Sequence, residues 1–225
     1  MVKYTLGLAL LASALALALC PSANAQLPPS WLSDAATNSY EWIGWTAMGA
    51  ENPCTVAPDL TQGTGSATAT VTIAHAGAGL ISGMPIGSVD SYIDLGPGGT
   101  IHLDLAPDTG GQYVYVQVAY HTGMVFAPTV TAANATALAG RRSLLEDTSL
   151  DPELPSGWML GEYLWKVDAA DVEQFSGVDI VADSTMGSIV EYVTAHTHCV
   201  PEPAGLLVIA SGAIALAGFV RRRRA

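Results

Sequence analysis

The chain of 225 residues is half apolar, and only 12% of it is charged, about half the usual share for globular domains. That balance excludes a disordered acidic tail, a coiled coil and a helical bundle rich in Glu and Lys. All 20 acids lie between Asp34 and Glu202, where only Arg141, Arg142 and Lys166 oppose them, so the central region carries −17 against −12 for the whole chain. A field of that sign repels nucleic acid and anionic lipid, which excludes nucleic-acid binding.

The first 25 residues have the build of a secretory signal peptide. Lys3 supplies the positive start, Leu6 to Leu19 is an apolar run of 14 residues interrupted only by Ser13, and Ala23-Asn24-Ala25 offers small residues at the spacing of a cleavage site. As a helix the run extends about 21 Å, short of a ~30 Å hydrocarbon core.

From Gln26 to Cys199 the pattern is that of short strands. Ala67 to Ile73 alternates small or apolar residues with threonine, the period of two expected of a half-buried strand. Val89, Ser91, Ile93 and Leu95 share a face, and Ile101, Leu103 and Leu105 alternate with His102 and Asp104. Tyr113 to Tyr120 is the clearest strand, with valines on one side and polar-tipped groups on the other. Further strands are predicted over Met124–Val130, Met159–Val167, Val178–Ala182 and Ser188–Thr194. Gly77-Ala78-Gly79, Gly96-Pro97-Gly98-Gly99 and Pro107-Asp108-Thr109-Gly110-Gly111 supply the turns. Only Ala169–Phe175 suggests a helical turn, with Asp168 as its N-cap. The stretch Ala139 to Gly157, with both arginines, four acids and two prolines, keeps no strand rhythm and is expected to be a solvated loop. The predicted fold is all-β: one antiparallel sandwich of jelly-roll or immunoglobulin-like type over residues 26–199.

The candidates for chemistry are few. Cys20 leaves with the signal peptide, so the exported chain keeps Cys54 and Cys199, and an isolated pair outside the cytoplasm is expected to form a disulfide. His196-Thr197-His198-Cys199 puts two imidazoles on one strand face, about 7 Å apart, but no third ligand can be identified, and no metal is expected. Asp90/Asp94 and Asp104/Asp108 match no calcium-loop spacing. There is no Gly-x-Ser-x-Gly, phosphate loop, His-Glu-x-x-His or dinucleotide fingerprint, so neither catalysis nor a cofactor is expected. Tyr113 and Tyr115, opposite the valines, are the candidate rings for stacking on a glycan.

At the C-terminus, Ala204 to Val220 runs for 17 residues without a charge and is followed at once by Arg221, Arg222, Arg223 and Arg224. A helix of that length reaches about 25 Å, enough to span a slightly thinned membrane. The arginines then hold the tail in the cytoplasm and leave everything before Ala204 outside. Pro201, Glu202 and Pro203 keep the chain extended just before the span, because each proline fixes φ and withholds a helix donor. This order of motif, apolar helix and basic tail over residues 200–225 resembles the PEP-CTERM sorting signal. The resemblance implies recognition by an exosortase, a membrane peptidase of Gram-negative bacteria that make exopolysaccharide. It implies a precursor held in the inner membrane through residues 204–220, then processing to the cell surface or extracellular matrix. The expected function is therefore that of an exported surface or matrix protein with a structural or adhesive, non-catalytic ectodomain. A carbohydrate-binding module of lectin-like type is the alternative, and an extracellular hydrolase comes third.

Overall fold

The computed structural model describes residues 27–106, 110–123, 126–148 and 157–199. Within them lie thirteen strands and two short 3₁₀ turns, Ser30–Ser33 and Val172–Gln174. In chain order the strands are β1 Thr37–Ile43, β2 Cys54–Val56, β3 Leu60–Gln62, β4 Ala67–Thr72, β5 Gly79–Ile86 and β6 Val89–Asp94. They continue as β7 Thr100–Leu105, β8 Gln112–His121, β9 Thr129–Ala132, β10 Thr136–Asp147, β11 Gly157–Val167, β12 Val178–Val181 and β13 Ile189–Cys199. The larger sheet runs β10-β11-β8-β13-β1-β3, with the β5–β6 hairpin joined to it through β6 and β13; the smaller runs β2-β4-β7-β12-β9. Every pairing between these strands is antiparallel. The all-β expectation holds, and the arrangement is consistent with a sandwich.

Alternation along the strands builds the core. Val114, Val116 and Val118 of β8 point inward together with Tyr40 and Trp42 of β1 and Val193 and Ala195 of β13. They meet Ala69 and Val71 of β4, Ile101, Leu103 and Leu105 of β7, and Val178 and Ile180 of β12 from the smaller sheet. Most of these side chains are wholly shielded from solvent, and each buried Val, Leu or Ile contributes about 1.5–3 kcal/mol. The first and last strands of the larger sheet are neighbours, Thr37 opposite His198 and Ile43 opposite Tyr192.

Several expectations need correction. Residues 139–147 are not loop; they belong to β10, the longest strand, which pairs with β11 from Thr136↔Lys166 to Asp147↔Gly157. The rhythm is broken because β10 is an edge strand that is mostly exposed and carries two register shifts, between Ala137 and Ala139 and between Leu144 and Glu146. Bulges and arginines on an edge blunt its tendency to pair further. Of the strand predicted over 124–130, residues 124 and 125 lie outside the described residues; among the rest only Thr129 and Val130 are strand residues, and β9 runs on to Ala132. The helical turn is Val172–Gln174, with Asp171 at its cap position and no side-chain cap bond. Asp168 is instead paired with Lys166 at 2.5 Å.

No helix among the described residues is long and apolar enough to cross a membrane. The predicted signal peptide (1–25), the motif Pro201-Glu202-Pro203, the span 204–220 and Arg221–Arg224 lie outside the described residues.

Candidate functional site

Polar chemistry gathers on the outer face of the larger sheet, away from the shared core. Register sets it out in rows across β1, β13, β8 and β11. One row is Thr37, His198, Tyr113 and Lys166; the next is Ser39, His196, Tyr115 and Leu164; the third is Glu41, Thr194, Gln117 and Glu162. The period of two anticipated for His196 and His198 is therefore observed, and the two rings lie beside Tyr115 and Tyr113.

Their nitrogens serve the sheet itself. His196 Nδ1 is 2.8 Å from Ser39 Oγ, and its ring stacks on Tyr115 with centroids 5.8 Å apart. Burial holds the His196 imidazole well below its ordinary value, at about 4, so it is neutral near pH 7. Thr37 Oγ1 donates to the Trp31 carbonyl at 2.7 Å. That uses its single proton, so at 3.2 Å it is His198 Nδ1–H that donates to Thr37 Oγ1. His198 Nε2 lies 3.9 Å from an Asp34 carboxylate oxygen.

The third row contains a buried charge. Glu162 is 2% exposed. It accepts from the Tyr115 hydroxyl and from Arg141 Nε, with Gln117 Nε2 at 3.5 Å. Burial alone would raise its carboxyl, but Arg141 and Tyr115 outweigh that and hold it below the usual carboxylate range. The same contact works in reverse on Tyr115, whose phenol is pushed up by burial and by Glu162. Thr194 Oγ1 closes the network by donating to Gln117 Oε1 at 3.0 Å.

The two tyrosines proposed for glycan contact thus part company. Tyr115 is fully buried, with its hydroxyl committed to Glu162, and cannot offer a ring to a sugar. Tyr113 is half-buried, and the indole of Trp31 stacks over it at 6.2 Å while also covering His198 at 5.2 Å. Trp31 enters from the 3₁₀ turn Ser30–Ser33, which packs on β1 and β13. Sequence reasoning missed Trp31 because a lone tryptophan between prolines and an acid carries no periodicity. It also missed Glu162, although one acid inside Trp158-Met159-Leu160-Gly161-Glu162-Tyr163-Leu164-Trp165 signals a charge that must find a partner.

No disulfide joins Cys54 to Cys199. Cys54 is buried in the smaller sheet, where Gly49 N–H donates to its sulfur at 3.2 Å. It stands opposite Val71 of β4, whereas Cys199, in the other sheet, pairs with Gln112 of β8. The two cysteines thus belong to different sheets, each held by its own strand pairing.

On the outer face of the smaller sheet, His102 Nδ1 and Asp179 Oδ1 approach to 2.7 Å, both partly exposed. A cleft of about 320 Å³ lies between two loops and is lined by Met48, Glu51, Asn52, His75 and Leu80 among others. Asn52 spans its floor by bonding both backbone groups of Ile73, at 2.7 and 2.9 Å. Among the described residues, no group of three or more His, Cys, Asp or Glu is placed to hold a metal ion. Comparison of the chain with protein families, with characterised proteins and with solved structures finds no match.

Proposed function

We propose that this chain is an exported surface or matrix protein whose ectodomain is structural or adhesive, sorted and processed through its C-terminal signal. The observation that carries the reading is the order of Pro201-Glu202-Pro203, an uncharged run to Val220 and Arg221–Arg224. Support comes from β13, a strand inside the larger sheet that ends at Cys199, two residues before Pro201 in the sequence. In this reading an exosortase-type membrane peptidase cuts near the motif after the span 204–220 has held the precursor in the inner membrane. The released domain, a single sandwich of jelly-roll or immunoglobulin-like type, stays among secreted polysaccharide outside a Gram-negative cell. Its non-catalytic character agrees with the way its polar side chains are used, since Glu162, His196 and His198 are spent on neighbouring strands. Mass spectrometry of the surface form tests the reading: residues 1–25 and 204–225 should be missing. A surface form that retains Arg221–Arg224 would overturn the processing step.

One observation favours the carbohydrate-binding alternative: the partly exposed stack of Trp31 on Tyr113 and His198. Trp31, whose carbonyl accepts from Asp34 N–H and whose indole stacks on Tyr113 in the same row as Lys166, offers a flat face worth roughly 1 kcal/mol per stacked ring. Trp31→Ala should then weaken retention on the polysaccharide while melting stays native. Unchanged retention removes the stack from consideration.

A further inference from the structure

We propose that the β5–β6 hairpin is an acid-released flap, latched by His121 through Thr148, that covers an apolar patch on the outer face of the larger sheet.

The hairpin is an appendage. Its base joins the sheet through only two register pairs, Asp94↔Ile189 and Ile93↔Val190. Most of β5 is exposed. Beneath it lies a second apolar cluster, Tyr92, Trp158 and Ile189, lined by Ile81, Ile86 and Val89. The tip is held at four points. Ser88 N–H reaches both Glu146 carboxylate oxygens, at 3.0 and 3.2 Å, and the Ser88 hydroxyl donates to the same group. Trp158 Nε1 donates to the Ile86 carbonyl at 2.9 Å. A methyl placed on Gly87 would fall 2.6 Å from Glu146 and 2.7 Å from the Thr148 methyl, so Glu146 and Thr148 together form the seat of the turn.

His121 stands behind that seat. It pairs with both Trp158 and Ile189 across the sheet and is 3% exposed. Its ring meets Trp158 edge-on at 5.2 Å. Gly123 N–H donates to Nδ1 at 3.2 Å, which leaves the proton on Nε2 to donate to Thr148 Oγ1 at 2.8 Å. The neutral ring is therefore satisfied at both nitrogens. A second proton would have to sit on Nδ1, facing another N–H, and would place a charge among apolar rings. Burial accordingly lowers the His121 imidazole from its ordinary value. The ionisable groups on the surrounding elements are Tyr92, Asp90 and Asp94 of β6, Glu146 and Asp147 of β10, and Glu191 of β13. Glu191 is pushed up by burial and by Glu146, so it takes a proton more readily than usual and works against release. The direct bonding partners of His121, Gly123 and Thr148, carry no charge. In acid the cheapest way to admit the charge is to open the patch to water, which costs the hairpin its seat and leaves the main core untouched.

Hydrogen exchange in the full-length chain, corrected for the intrinsic effect of pH, tests this. As pH falls from the free imidazole value of about 6.5 toward the lowered value of the buried ring, the amides of residues 79–92 should lose about tenfold protection per pH unit, while β7 and β12 keep theirs. His121→Asn, whose carboxamide oxygen can accept from Gly123 without titrating, should abolish that acid response. A hairpin indifferent to pH, loss of protection throughout both sheets together, or an unchanged response in the variant would each overturn the proposal. Should the variant fail to fold, the imidazole signals of the wild type decide: the loss of hairpin protection must level off at the pH where His121 itself takes up its proton, and a loss that continues with the same slope below that titration overturns the flap.

Discussion

The molecule has two apolar clusters of different construction. The one between the sheets draws on strands of both, and most of its members are wholly buried. The one under the β5–β6 hairpin has three buried members and is closed by polar ties from Glu146, Trp158 and the His121–Thr148 pair. Apolar area fixes the first, and hydrogen bonds whose strength depends on protonation fix the second. A core of the first kind yields only to loss of volume, whereas a cluster of the second kind yields to chemistry in the solvent.

The largest effect should follow from breaking the main core. Leu103→Ala removes a fully buried side chain from the middle of β7 and should cost about 3 kcal/mol or more, read as a lower urea midpoint with one cooperative transition. The hairpin should unfold with the rest.

Acid should come next. The folded-state value of His196, about 4, lies below that of the free side chain. The unfolded chain therefore binds its proton first as pH falls. The contribution of the neutral ring is complete above about pH 6.5 and is lost progressively down to about pH 4, a change of up to ~3 kcal/mol. Chemical denaturation at a series of pH values should show that slope, and His196→Asn should flatten it. A slope that survives the substitution assigns the loss to other groups.

Arg141→Ala leaves Glu162 buried without its cation. Because the guanidinium is half exposed, the cost should be smaller than that of breaking a fully buried pair and smaller than that of Leu103→Ala, read as a modestly lower urea midpoint. The accompanying sign is that Glu162 should titrate at higher pH in the variant, measurable by carboxyl NMR. Substituting both Arg141 and Glu162, by Ala and Leu, should recover part of the loss, since it removes the orphaned charge.

The smallest effect should be Gly87→Ala. Gly87 has φ of +60° and no room toward Glu146 and Thr148. The change should lower protection of the hairpin amides while shifting global stability by less than about 1 kcal/mol. If global stability falls as much as local protection, the two clusters are one cooperative unit and the contrast between them fails.

Much of this arrangement was legible in the sequence where one face of a strand is apolar and the other polar. Tyr113 to Tyr120 and Ile101 to Leu105 alternate cleanly, and their valines, isoleucine and leucines are indeed the inner face. Legibility failed where a strand has the same environment on both faces. β6 is the strand expected, with Ile93 and, just beyond its end, Leu95 in the main core, but the burial of Tyr92 under the hairpin on its other face was not read. β10 is exposed on both, and its arginines, acids and bulges imitate a loop. At the site, His196 and His198 were placed correctly by period alone. Whether Tyr115 faced solvent could not be read, because its cover and its partner come from β11 and β13, far away in sequence. The cysteines show the same limit: oxidation state follows from compartment, but pairing requires proximity, and topology sets them apart.

The antiparallel pairing of β1 with β13 has a mechanical consequence. Thr37 sits opposite His198, so the chain enters and leaves the larger sheet at one pole, side by side. Tension applied between those two points does not shear seven residue pairs at once; it peels them apart singly, starting from Thr37 and His198. A load that reaches the domain through residue 199 alone, from a tether on that side, bypasses this zipper entirely. The fold is thus suited to hanging from one end and poorly suited to being a link in a stretched series.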